Sequence, residues 1–419
     1  MTAYSYPRWL TFTLFTALLF FAPLARGAVQ PWAQSALMAI TCLLAAALLV
    51  EKSLTDAVIS PKTPFNKPFL ALVGLICLSF LFSPARADGL EAITLLAAYA
   101  VIFYAARHLA ASRAGQRQVV YVLITLATVV ALLALVKRFS PQLVPIWWQY
   151  GLSGTVATGP YGNHNHLAGL LEMIIPLVFS LFLTRERRLP ALLLLLYLAI
   201  LLVATHILAL SRGGWFSLTA ALAVMFIVLL KQKRFTRKKL LLSVVGGIAL
   251  VFLFILGGTH IVERLLTLTD EETMLDFAGR AIAWKGCLPM IAAHPILGTG
   301  PGSFAALFPT WQPPGITARF FYAHNDYLQY AAELGLPVIA IILWIIVILV
   351  RRVIHLIAHP SRQIWGISLG AAIGILAMLF HSFVDFNLHI PANAVVFAVL
   401  FGLLSTTAEK NGKRNNAVL

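Results

Sequence analysis

This sequence predicts an all-α polytopic membrane protein of about twelve transmembrane helices. Three observations predict it. Hydrophobic residues make up 60% of the 419 and charged residues only 11%, a balance that a water-exposed domain does not sustain. Apolar segments recur along nearly the whole chain, each long enough for a helix to cross about 30 Å of hydrocarbon. The loops between them alternate between rich and poor in Lys and Arg.

The segments fall at residues 9–24, 33–50, 68–83, 90–106, 118–136, 166–183, 190–210, 214–230, 240–257, 327–350, 364–383 and 391–407. Arg8 and the apolar stretch from Leu10 to Phe21 have signal-peptide character, with small residues at Ala25-Arg26-Gly27-Ala28. The next segment follows at once, so a retained first helix is expected. Gly335-Leu336-Pro337 is expected to kink the tenth span. The whole chain, 1–419, reads as a single integral membrane domain, with a polar tail at 409–419. No strong repeat and no inverted pair of broken helices is visible.

Charge orients the bundle. One set of loops holds 22 of the 31 Lys and Arg: Arg8, Lys52, Lys62, Lys67, Arg107, Arg113, Arg117, Arg185, Arg187, Arg188, six between Lys231 and Lys239, Arg351, Arg352, Arg362, Lys410, Lys413 and Arg414. Such loops stay cytoplasmic, which puts both termini inside. The net charge of +16 then marks orientation and anionic lipid, not nucleic acid. Cys42, Cys77 and Cys287 form no disulfide framework. The residues fit for chemistry fall on the outer face, away from ATP and nucleotide sugars.

Two outer stretches stand out. Ser140 to His164 carries Trp147, Trp148, Tyr150 and Tyr161, residues suited to the headgroup level. The loop 258–325 contains a charged part (Glu263 to Arg280), a helix expected at about 279–293, and the turn Gly298-Thr299-Gly300-Pro301-Gly302. Its length suggests a functional cap on the membrane. The acidic cluster Asp270, Glu271, Glu272 and Asp276 reads as a solvated face.

Five constellations are candidates for chemistry. Asn163-His164-Asn165-His166 opens the sixth span, either as a polar lip for glycan or phosphate or as a helix cap. Ser211-Arg212-Gly213-Gly214-Trp215 pins Arg212 at the membrane boundary, where a charge costs about 2.5–3.5 kcal/mol. An Arg fork beside glycine amides makes a diphosphate cradle. The alternative is a snorkelling Arg anchored by Trp215. Arg280, Trp284 and Lys285 share an outer helix that either holds diphosphate and sugar or is an ordinary amphipathic surface. His324-Asn325-Asp326 leads into the tenth span. His324 is a general base candidate, oriented by Asp326 or Glu333, or else the cluster only caps the helix. Asp385 and Asn387 in the last outer loop line the site or shape the loop. Walker loops, Gly-x-Ser-x-Gly and outer Asp-x-Asp motifs are absent from the sequence.

Together these motifs resemble the O-antigen ligase/polymerase superfamily of bacterial inner-membrane glycosyltransferases. The resemblance rests on Ser211-Arg212-Gly213-Gly214, Gly279-Arg280 with Trp284, Gly298 to Gly302, and Ala323 to Leu328, and covers roughly 160–400. It implies a GT-C-like fold with a large periplasmic loop between the ninth and tenth spans. It implies an undecaprenyl-diphosphate-linked glycan as donor and lipid A core or another glycan as acceptor. Arg212 and Arg280 would hold the diphosphate, and His324 would deprotonate the acceptor hydroxyl in an inverting transfer without metal or other cofactor. Ligation to lipid A core is the leading outcome, with repeat-unit polymerisation or transfer to protein hydroxyls as alternatives. The short tail counts against the protein-directed outcome. A polysaccharide flippase would carry charges deep in its spans, whereas here Glu172 and His206 are the main exceptions. A zinc hydrolase using His164, His166 and His324 is a further alternative.

Overall fold

The computed structural model describes residues 6–55, 62–149, 156–184, 189–232, 271–316 and 318–406, which contain helices and turns and no strand. The expected span 240–257, the loop from 258 to 270 and the tail 409–419 lie outside the described residues, and so do the side chains of the acidic cluster. The helices are α1 (Tyr6–Leu24), α2 (Pro31–Thr55), α3 (Asn66–Phe82), α4 (Arg86–Leu109), α5 (Arg113–Phe139), α6 (His164–Thr184), α7 (Leu189–Leu208) and α8 (Arg212–Leu230). After them come α9 (Glu271–Ala293), the single turn α10 (Phe304–Leu307), α11 (Asp326–Leu334), α12 (Pro337–Ile357), α13 (Arg362–His381) and α14 (Pro391–Ser405).

Eight of these are long and apolar enough to cross a bilayer: α2, α4, α5, α6, α7, α8, α12 and α13. Three shorter apolar helices, in α1, α3 and α14, accompany them. The chain is therefore a multi-pass membrane protein. Two expectations are corrected. The tenth span does not run from 327 as one kinked helix. Gly335, at φ 78°, ends α11, and Pro337 restarts the chain at the first turn of α12, where its missing N–H costs nothing. The spanning helix is Pro337–Ile357. The outer helix also begins earlier than expected, at Glu271 instead of 279.

The core is a pair of helices, α6 and α13. The apolar window of α6 is 94% buried by other helices, against 11% for α12. Gly366, Gly370 and Gly374 explain how close the pair comes. Added Cβ atoms at Gly366 and Gly370 would stand 2.5 Å from Thr184 Oγ1 and from Ser180 Oγ, and one at Gly374 would strike the Met173 carbonyl. Small residues repeated every fourth position let membrane helices meet backbone to backbone. That contact fixes the register between Glu172 on α6 and His381 at the end of α13.

The two ends of the bundle differ. At one end Arg107 Nη2 donates to the Lys62 carbonyl at 2.9 Å and Arg352 Nε to that of Leu404 at 3.0 Å. At the other end of α5, Lys137 Nζ donates to Gly159 O at 3.3 Å and Arg138 Nη1 to Leu208 O at 2.9 Å. The candidate site lies at this second end.

Candidate functional site

Local capping sets the side chains around the site. Asn163 Oδ1 accepts from the N–H groups of Asn165 (2.8 Å) and His166 (3.4 Å) and so caps α6. Ser211 Oγ accepts from the Gly214 N–H at 3.1 Å and caps α8. Asn325 Oδ1 accepts from the Leu328 N–H at 3.0 Å and caps α11, while its Nδ2 donates to Phe383 O at 2.9 Å. Each cap satisfies an N–H that the helix leaves open, and each places the neighbouring residue at the helix mouth.

His324 is held by its backbone in the left-handed region, at φ 50°, a conformation uncommon outside glycine and costly enough to need support. Its side chain is 33% exposed, and Nδ1 stands 3.7 Å from Asp385 Oδ1. The ring meets Phe386 edge-on at 4.8 Å. Asp385 is the acidic neighbour of His324, which corrects the expectation that Asp326 or Glu333 would orient it. Asp326 is fully buried and engaged elsewhere: Oδ1 pairs with His389 Nδ1 at 2.6 Å, and Oδ2 accepts from Ser382 Oγ at 2.7 Å. Glu333 accepts from the Gly302 N–H at 2.8 Å and from Gln329 Nε2 at 3.1 Å. Both carboxylates tie loops together, and the turn Gly298 to Gly302 is the clasp that Glu333 closes.

Asp385 is a hub. Burial opposes its charge, but the His324 side chain and the charges of His381 and His166 outweigh that and hold its carboxyl well below the usual range. Behind it, His381 Nε2 lies 4.0 Å from Asp385 Oδ2, and His381 Nδ1 lies 3.0 Å from Glu172 Oε1. The sequence gives no sign that Glu172 pairs with His381. The available signal was a lone acid inside an apolar span.

The start of α8 packs against this hub. Gly213, beside Arg212, packs so tightly that an added Cβ would stand 3.0 Å from His381 Nε2. His324 and His381 thus flank Asp385, and the α8 start that carries Arg212 packs on His381 through Gly213. Arg212, Arg280 and Trp284 are half-buried and Lys285 is exposed. The helix carrying the last three is seated by Ala283, Cys287 and Met290 on Phe304, Phe308 and Ala323.

Other expected site residues are placed differently. The Gly214 amide serves the Ser211 cap, so it is not open to a phosphate, and the glycine pair works through close packing. His164 Nδ1 meets the Ala209 carbonyl at 2.9 Å. His166 is buried, edge-on to Phe386 at 5.2 Å. Asn387 is wholly buried and accepts from Asn393 Nδ2 at 2.9 Å. Asp326 and Asn387 therefore brace the site from behind and do not face a substrate.

A row of rings continues away from His324. Phe386 stacks on Tyr322 at 4.1 Å, Tyr322 leans on His389 at 5.7 Å, and His389 stacks on Tyr330 at 4.8 Å. Tyr330 and Leu388 also line an apolar cavity of about 580 Å³ between α3, α4, α12 and α14. Phe69, Tyr99, Phe103 and Phe397 are among its walls.

Residues 197–343, which include Arg212, Arg280 and His324, match the family model described as O-antigen ligase. No curated protein matches the chain.

Proposed function

We propose that this chain, a member of the O-antigen ligase/polymerase superfamily, transfers a glycan from undecaprenyl diphosphate to a sugar hydroxyl on lipid A core. At the coarser level the family match supports a glycosyltransferase-like ligase or polymerase. The observation that supports the finer reading is His324 paired with the buried Asp385 at 3.7 Å, with the start of α8 that carries Arg212 packed on His381 behind it. On this reading the site faces the periplasm, as the Lys and Arg bias of the loops argues.

The chemistry follows from the arrangement. The acceptor hydroxyl gives its proton to His324, and Asp385 on the Nδ1 side stabilises the imidazolium that forms. The oxygen attacks the anomeric carbon from the face opposite the diphosphate, and the carbon–oxygen bond to phosphate breaks with inversion. The bonding pair leaves on the diphosphate, whose growing charge Arg212 and Arg280 meet. The proton then passes from His324 to water. The cavity reached through Tyr322, His389 and Tyr330 has the apolar lining that the hydrocarbon part of a lipid-linked substrate needs.

The test uses purified protein in lipid with an undecaprenyl-diphosphate-linked repeat unit, with and without lipid A core, in a strong chelator. Glycan on lipid A core is the expected product, and His324→Ala is expected to cut transfer by 10²–10⁴-fold, the usual worth of a positioned base. Longer chains left on undecaprenyl diphosphate would make the protein a polymerase. Loss of transfer in chelator, or a well-folded His324→Ala variant with near-normal rate, would overturn the mechanism.

A further inference from the structure

The base proposed above stands beside one carboxylate, with His324 Nδ1 3.7 Å from Asp385 Oδ1. A base that takes a proton becomes a cation, and in a poorly screened interior that charge needs a nearby anion. Asp385 offsets that charge only while its own stays available. His381 stands directly behind Asp385, with Nε2 4.0 Å from Oδ2, and a protonated His381 would absorb that charge. The structure places a second carboxylate behind His381. Glu172 Oε1 meets His381 Nδ1 at 3.0 Å, and both side chains are at most 1% exposed.

An acid inside α6, whose apolar window is 94% buried, is expensive, and such residues mark function more often than packing. The other titratable groups around His381 are His166 on the same helix, His206 on α7, Arg280 on α9, and Asp385 and His324 in the loops. Arg212 lies beside the Gly213 contact on α8.

We propose that Glu172 is a positioning residue for the base: by pairing with His381 it leaves the negative charge of Asp385 free to receive a proton on His324. The chain Glu172–His381–Asp385 then carries one net negative charge when His381 is protonated, and the proton taken by His324 makes the group neutral. This rests on the assignment of His324 as the base. It adds that the strength of that base is set from inside the bundle, by a residue that touches no substrate.

The sign of the charge gives the test. Removing a charge at roughly 10 Å, in an effective dielectric of about 20, shifts a titration by about one pH unit. Transfer from the undecaprenyl-diphosphate-linked repeat unit to lipid A core is measured from pH 5 to 9 for the wild type and three variants. Glu172→Gln removes a negative charge, so the acid limb of kcat/KM should move about one unit lower and the plateau should fall. His381→Gln removes a positive charge, so the limb should move higher. The double variant removes one of each and should return the limb to near its wild-type position. If Glu172→Gln does not fold, His381→Gln and the double variant carry the test. Limbs that stay within about 0.3 unit of wild type, or that move in the same direction in both single variants, overturn the proposal. A wild type whose transfer survives His324→Ala would overturn the base assignment instead, so the two failures are distinguishable.

Discussion

Asp385→Asn isolates one charge at the centre of the site. The substitution keeps the shape of the side chain and the oxygen that accepts from the Phe386 N–H at 2.8 Å, so the loop should hold. Full charges 3.7 Å apart interact by about 4 kcal/mol at an effective dielectric near 20. His324 is a third exposed, and solvent screening brings the figure to about 2–3 kcal/mol. Most of that is gained only as the proton arrives, so it lowers the barrier more than it tightens substrate binding. The expected result is a fall in kcat of about 10²-fold with KM for the lipid-linked donor nearly unchanged. The assay is the initial rate of glycan transfer in lipid across a donor titration, alongside a thermal melt. A fall below about threefold, or a loss seen wholly in KM, would refute the view that Asp385 stabilises charge on His324.

Two further outcomes concern the frame. Gly298→Ala should destabilise the protein by about 1–3 kcal/mol, read as a lower melting temperature, because Gly298 has φ 64° and an added Cβ would collide with the backbone of Glu333. A melt within a degree of wild type would show that the clasp carries no load. His389 gives a pH signature. Burial pushes its proton off, but the hydrogen bond and charge of Asp326 prevail and raise it above its ordinary value. A raised group stabilises the fold fully below the unfolded value of about 6.5 and loses that contribution as pH climbs through the folded value. The melting gap between wild type and His389→Gln should therefore be widest below about pH 6.5 and narrow above it, and a gap that widens with pH would contradict the Asp326–His389 pairing.

Much of the scaffold was legible because its signals are local. Asn163, Ser211 and Asn325 stand directly before apolar runs, and each caps the helix that follows. Apolar length alone located the described spans, and the basic loops marked one end. What stayed hidden depends on distant pairing. Asp326 is close to His324 in sequence, yet its oxygens turn to Ser382 and His389, and Asp385 from the far loop takes the place beside His324. The glycines after Ser211 suggested open amides. One amide is consumed by the cap, and the missing side chains serve instead to admit His381. Gly335 and Pro337 were visible as a disturbance, but whether they bend a helix or divide it is decided by what α11 packs against.

The Glu172–His381 hydrogen bond joins positions 209 residues apart. A ribosome adding about 5–20 residues per second needs roughly 10–40 s to make the second partner after the first. Throughout that interval α6 has an acid on its surface and no α13 to cover it. The nascent segment must wait at the insertion machinery, sit against a temporary companion, or hold its carboxyl protonated until the imidazole arrives. Biogenesis therefore imposes its own demand on this position, apart from any demand of catalysis, and a variant that is sound once assembled can still be lost on the way to the membrane.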